Sequence, residues 1–293
     1  MLRHTSILAS EIYQNLPSSI ENYFDGTFGH GGHVEYILSH LSEENRLPLP
    51  KVIACDIDKK ILTKGLEFTS ARTDYITPEL DTYANIDQIT EKYGLFDFML
   101  LDLGVNMEHF KDAERGFSIK TDAPLDMRFR NDAKIQAKDI VNEYTRLELE
   151  KMLITYGDFS PKTSEYITKG IVDSRAKQPI QTTFQLSNIL KSLHFNQKKI
   201  AVIFQVLRIE TNQELIQLEI FLKKFCNCLK GGGRCDIITF HSIEDRMVKL
   251  AFKALSEEGI IKLINKKVIQ PHYTEIQRNK AARSAKLRIV EKL

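Results

Sequence analysis

Tyr23-Phe24-Asp25-Gly26-Thr27-Phe28-Gly29-His30-Gly31-Gly32-His33 decides the fold of this 293-residue chain. Its apolar opening reads as a buried strand, its glycines as a sharp turn, and the residues from about Val34 to His40 as a helix start. That is a nucleotide-binding element. Gly29, Gly31 and Gly32 let the backbone turn and leave no side chain in the way of a ligand, and the first amides of the helix face an anionic or carboxylate group. The spacing is not the dinucleotide fingerprint G-x-G-x-x-G, because two adjacent glycines and a histidine take the place of its second half. The turn alone leaves the nucleotide open.

Working outward, Leu49 to Ile57 is a short β-rich run ending in acid, and Asp58 is placed to cap a helix through about Phe68. Tyr75-Ile76-Thr77 reads as a short third strand. Leu95 to Gly104, apolar on both faces except at its ends, reads as a stronger fourth. Near-continuous apolar strands alternating with helices predict a parallel sheet covered on both sides. From about Phe110 to Gln197 the sequence turns polar, charged and helical in period, and strand signals vanish. Leu215 to Leu229 then gives an amphipathic helix, and Gly231-Gly232-Gly233 turns into a fifth strand at Arg234 to Phe240. Ile260 to Ile269 and Leu287 to Val290 supply the last strands, as an antiparallel edge. The α/β pattern is interrupted and resumed, so a helical domain is inserted into one sheet domain.

A hydrophobic content of 42% over this length supports a substantial core. The net charge is only +2, yet residues 261–293 hold nine Lys or Arg against Glu275 and Glu291, a local charge of +7 that suits a polyanionic partner or a solvated tail. Met1-Leu2-Arg3-His4-Thr5 lacks the apolar run of a signal peptide, and no stretch has the length of a membrane span, so a cytoplasmic protein is expected. Cys55, Cys226, Cys228 and Cys235 form no Cys-x-x-Cys pair and read as reduced, buried thiols. No metal site is expected, since His30, His33 and His40 have no acidic or thiol ligand at helical or turn spacing.

In a parallel sheet, ligands sit outside the carboxyl ends of the strands, where Asp25 with its turn, Asp56, Tyr83 and Asp102 converge. Asp56 fits the acid that takes both ribose hydroxyls, in an NAD site or an S-adenosylmethionine site alike. Asp102 closes an apolar strand, where a carboxylate costs desolvation unless paired; it meets either a donor's amino group, a substrate amine or the amides of its own turn. His33 reads as a hydrogen bonder that orients the ligand loop. Phe240-His241-Ser242-Ile243-Glu244-Asp245-Arg246 lies on the same rim, where Arg246 pairs a neighbouring acid or contacts phosphate. Arg278, Lys280, Arg283, Lys286 and Arg288 offer a face to a nucleic acid backbone.

At this point the chain strongly resembles a known family, the bacterial ribosomal RNA small subunit methyltransferase H family of cytosine-N4 methyltransferases. The resemblance runs in order through Asp25 to His33, Leu101-Asp102-Leu103-Gly104-Val105, Glu114-Arg115-Gly116-Phe117-Ser118, Pro124-Leu125-Asp126-Met127-Arg128, Phe204-Gln205, Arg208-Ile209, Asn212 with Glu214-Leu215, Phe240 to Arg246, and Arg283 to Arg288. It implies an α/β fold, a Rossmann-like class I methyltransferase sheet formed by residues 1–109 and 201–293, with an inserted helical domain at 110–200 for RNA-substrate recognition. It also implies methyl transfer from S-adenosylmethionine to the N4 amino group of a decoding-region cytidine in 16S ribosomal RNA, free or in the small ribosomal subunit. A second copy of the chain is a further candidate partner.

The cofactor contacts implied by the resemblance fall on Gly31, Gly32, His33, Asp56, Tyr83, Asp102 and His109, and the proton acceptor on Asp102 or Asn106. Tyr83 stands where the family has phenylalanine. Asn106, Met107, Glu108 and His109 stand where it has two serines and then a glutamine, and Ala123 and Phe129 replace glycine and methionine. Two rivals remain open: an NAD-dependent oxidoreductase, which leaves the acidic end of the fourth strand and the Phe240 to Arg246 cluster unexplained, and a non-catalytic RNA-binding or assembly protein with a vestigial pocket.

Overall fold

A computed structural model describes residues 6–293; Met1 to Thr5, whose composition bears on the signal-peptide expectation, lie outside the described residues. The chain divides into two compact units, one running through Gly104 and resuming at Ile216–Leu293, the other Val105–Leu215. These boundaries fall a few residues before 110 and about fifteen after 200. The reason is the last helix of the insert, which buries its apolar stripe in the second unit's core.

The first unit begins with α1 (Ala9–Gln14), β1 (Asn22–Asp25), α2 (Gly32–Glu43), β2 (Lys51–Cys55), α3 (Lys59–Phe68), β3 (Ile76–Glu79), α4 (Ile86–Tyr93) and β4 (Phe96–Asp102). In the second unit follow α5 (Met107–Lys111), α6 (Ala137–Glu143), α7 (Arg146–Gly157), α8 (Pro161–Arg175), α9 (Thr183–Ser192) and α10 (Gln197–Asn212). Helix α11 (Glu214–Cys228) leads back into β5 (Leu229–Thr239), α12 (Ser242–Glu257), β6 (Ile261–Leu263), α13 (Tyr273–Arg278) and β7 (Lys286–Lys292).

The sheet order is β3-β2-β1-β4-β5-β7-β6, parallel except for β7, which pairs antiparallel with both β5 and β6. The antiparallel strand is therefore one in from the edge rather than at it. Chain order reverses between β1 and β4, which makes their carboxyl ends the switch point where open α/β sheets leave a crevice. Gly231 to Gly233 lie inside β5 rather than before it: the register steps from Phe96 opposite Leu229 to Phe98 opposite Arg234, so the glycines form the excess loop of a bulge.

Apolar residues fill both faces of the sheet. Phe24, Met99, Leu101, Phe221 and Phe225 lie on one side, and Tyr23, Phe98, Leu100, Ile37 and Leu38 on the other. Burying each such side chain contributes about 1.5–3 kcal/mol. The second unit has its own core, including Leu149, Leu153, Ile167, Leu186, Leu190 and Val206. Its helices start as the sequence dictates: Thr145 with Glu148 and Thr182 with Gln185 form capping boxes, and Ser160 caps a helix that has Pro161 in its first turn. Residues 116–136 contain no helix, because Gly116 turns at a φ of 70° and Met127 sits at 60° in the left-handed region. All four cysteines are buried and free. Among the described residues no helix is long and apolar enough to cross a membrane.

Candidate active site

Backbone hydrogen bonds fasten the glycine turn to two neighbouring strands. The Gly26 amide donates to the Leu100 carbonyl and the Phe28 amide to the Cys55 carbonyl, each at 2.9 Å. The Gly29 amide donates to Asp56 Oδ2 at 2.8 Å, and the Asp102 amide donates to Thr27 Oγ1 at 2.6 Å. Asp25, Asp56 and Asp102 are thereby drawn to the turn at the carboxyl ends of β1, β2 and β4. Tyr83 joins them from the segment after β3: its Cβ lies 2.9 Å from where a Gly26 side chain would begin, and its ring meets Phe221 edge-on at 5.8 Å.

The adjacent glycines answer a demand inside the protein. Gly31 has a φ of 73°, and a Cβ there would lie 2.6 Å from Thr69 Cγ2 and 2.7 Å from Phe28 Cζ; a Cβ on Gly32 would meet Ser6 Oγ. Their missing side chains admit Phe28, Thr69 and Ser6. Both still stand at the start of the twelve-residue α2, whose first amides carry the partial positive charge of a helix N-terminus.

His33, in the first turn of α2, directs Nε2 at the Ile7 carbonyl at 2.9 Å. Nε2 therefore carries the proton and Nδ1 is the acceptor, 3.9 Å from Asp102 Oδ2. Burial lowers its pKa and keeps the ring neutral. The same segment continues through Leu8, left-handed at a φ of 57°, whose amide donates to Glu275 Oε1 at 2.9 Å. This strap gives no signal in the sequence, because it exists only through tertiary contacts.

Three carboxyls of the crevice are hard to ionise. Asp102 Oδ1 is sealed from solvent without a hydrogen-bond partner, although the side chain as a whole is 26% exposed. Lost hydration, with the Glu244 charge adding to it, raises its pKa to about 7. Asp25 takes the Tyr23 hydroxyl at 3.0 Å and the Thr27 amide at 3.2 Å; burial raises its pKa to about 6 against these hydrogen bonds. Burial also raises Asp56 to about 6, while its oxygens take the Gly29 and Asp58 amides. Asp58 caps α3 through the Lys60 and Ile61 amides, which leaves Asp56 to the turn.

Asn106 and His109 belong to the second unit. Asn106 Oδ1 accepts the Glu108 amide at 3.0 Å and so caps α5. The buried His109 ring clusters with Phe117 and Phe129, whose centroids lie 5.0 and 5.1 Å from it and 5.7 Å from each other.

The cluster after β5 divides its work. Glu244, 2% exposed, accepts the Phe240 amide at 3.0 Å, and its Oε1 lies 2.9 Å from His241 Nε2. Asp245 takes Lys286 at 3.1 Å and Arg288 at 2.8 Å. Those two cations thus share one acid within the protein, a pairing the sequence does not show. Glu244 as the acidic neighbour of Asp102 was also beyond sequence reading, since a glutamate at the third helical position signals only a capping box.

The MraW methylase family matches residues 1–293. Ribosomal RNA small subunit methyltransferase H of Elusimicrobium minutum is 39% identical, covering 99% of this chain and 98% of its own. The protein of the same name from Bacteroides thetaiotaomicron is 39% identical over 92% of this chain and 90% of its own. That from Coprothermobacter proteolyticus is 35% identical over 99% and 96%.

Proposed function

The chain belongs to the MraW methylase family, and from that premise we propose that it methylates the N4 amino group of a decoding-region cytidine in 16S ribosomal RNA, in the cytoplasm. The observation that carries the chemistry is Asp102, a carboxyl at the switch point with one sealed, unpartnered oxygen and a pKa of about 7. A cytosine amine has its lone pair delocalised into the ring, so it becomes a nucleophile more readily as a neighbouring base draws off its proton. Near neutrality Asp102 is a base of matching strength. The other candidate acceptor, Asn106, already spends its side-chain oxygen on the Glu108 amide.

The residues present fit S-adenosylmethionine, the methyl donor of this family. Each Asp56 oxygen accepts one backbone amide and retains a lone pair for a ribose hydroxyl. Tyr83 offers a ring edge to an adenine, and Gly31, Gly32 and His33 present the start of α2 to a carboxylate. When bound, the donor supplies an electrophilic methyl group on a sulfonium. The protein's share is to hold the target amine against Asp102 and to exclude water. The second unit and the basic residues of the first grip the surrounding RNA, and the target base leaves its stack to reach the site.

Incubation with methyl-labelled S-adenosylmethionine and ribosomal RNA from cells lacking this modification tests the reading. Label should appear in small-subunit RNA. A protein that binds the donor and the RNA yet transfers no label is a binding module, and a protein stabilised by NAD rather than S-adenosylmethionine is an oxidoreductase.

A further inference from the structure

We infer that Arg278, Lys280 and Arg283 form a phosphate-binding strip that holds the RNA chain beside the methyl-donor turn, an inference that rests on the ribosomal RNA reading above. Its basis is how the protein spends its other arginines. Arg46 and Arg175 bond backbone carbonyls, Arg208 pairs with Glu214, Arg234 with Glu291, and Arg288 with Asp245. The same holds for the rest: among the described residues, Arg278 and Arg283 alone have neither a hydrogen bond nor an ion pair. Lys280 between them is likewise unpaired and exposed. An unpaired arginine is a fork of five donors with no acceptor, and phosphate is the anion it fits in two-point fashion.

The three cations do not lie on a loose tail. Arg278 ends α13, and Lys280 and Arg283 lie in the 3-10 helix Lys280–Ser284, which Asn279 caps through the Ala281 amide at 3.1 Å. Ala282 and Ala285 anchor this segment in the interior with no exposed surface. Between residues 265 and 285 the one acid is Glu275, and its carboxylate is turned to the Leu8 amide. Like charges so concentrated repel one another, and an anion removes that cost.

The position fits as well as the charge. Glu275 of α13 holds Leu8, and the adjoining Ile7 carbonyl holds His33 of the donor turn. A phosphate on the strip thus lies on the same rim as the site, a natural place for nucleotides flanking the target. The exposed Tyr273 at the start of α13 gives a flat surface for a neighbouring base.

The test is a salt titration of binding to an unmodified transcript spanning the decoding region of small-subunit ribosomal RNA. It compares the wild-type protein with Arg278→Gln/Lys280→Gln/Arg283→Gln and with an equal charge change on α11 and α12, Lys223→Gln/Lys249→Gln/Lys253→Gln. The first variant should lose at least tenfold in affinity at moderate salt. Its slope of log affinity against log salt should fall by about 2, three single-strand contacts at ~0.7 each. The second variant should match the wild type, Arg278→Lys/Arg283→Lys should keep most of the slope, and donor affinity should stay within twofold throughout. If the strip variant binds RNA like the wild type, or no worse than the control variant, the strip is wrong while the functional reading stands. If the wild-type protein itself does not bind the RNA, the reading falls and the strip with it.

Discussion

Asp102 and Asp236 both lie on central strands and both have oxygens without partners, yet their surroundings give them opposite meanings. Asp102 ends β4 at the open rim, where a pKa of about 7 makes it a base only once it ionises. The maximal transfer rate should therefore rise with pH through about 7, and Asp102→Asn should lower it by roughly 10²–10⁴-fold. If donor affinity, measured by calorimetry, falls instead and the rate at saturating donor is kept, Asp102 binds the donor rather than the proton. Asp236 lies mid-strand in β5, fully buried, level with Leu100 of β4 and Ile289 of β7, and neither of its oxygens has a hydrogen bond. Burial raises its pKa far above the usual carboxylate value, so it is held neutral. A group whose pKa is raised on folding stabilises the fold fully below its unfolded pKa and loses that contribution as pH rises. Asp236→Val should therefore stabilise the protein at pH 8 by about 1–3 kcal/mol. The gain should shrink toward pH 5, as denaturant midpoints at the two values will show; an equal gain at both means that Asp236 is not held protonated.

Elements whose cause is local were legible in the sequence. The β1 strand and glycine turn, the Asp58 cap of α3 and the apolar β4 each follow from a short run of residues, and each forms where that run lies. What escaped is what distant contacts impose. Leu8 takes a left-handed conformation because Glu275 waits for its amide, and Gly31 must be glycine because Phe28 and Thr69 crowd it. Gly31→Ala should cost about 2–4 kcal/mol, through its positive φ and the crowding together, and should weaken donor binding in parallel. In the second unit, Asn212 donates to the Met127 carbonyl at 2.8 Å and accepts the Phe129 amide at 2.7 Å, pinning the left-handed Met127. Asn212→Ala should destabilise that unit by about 2–4 kcal/mol. Faster amide exchange confined to residues 126–131 would show that the damage is local, and unchanged exchange there would count against the clamp.

For the whole molecule, interruption and resumption of the α/β pattern was plain in the sequence, while the point of division was not. Helix α10 straddles residue 200, and only the burial of Ile203, Phe204, Val206 and Leu207 in the core of the second unit places it there. The order β3-β2-β1-β4-β5-β7-β6 was also beyond reach, because β7 inserts beside β5 from the far end of the chain. On the proposed reading the first unit holds the donor, so S-adenosylmethionine at a hundredfold excess over its Kd should stabilise that unit by about 2.7 kcal/mol and NAD should not. The central claim concerns the atom that receives the methyl group. Small-subunit RNA methylated by this protein, digested to nucleosides and resolved by mass spectrometry, should yield N4-methylcytidine from a fragment containing the decoding region; a methyl group found on another base, on ribose or at ring carbon 5 would contradict it.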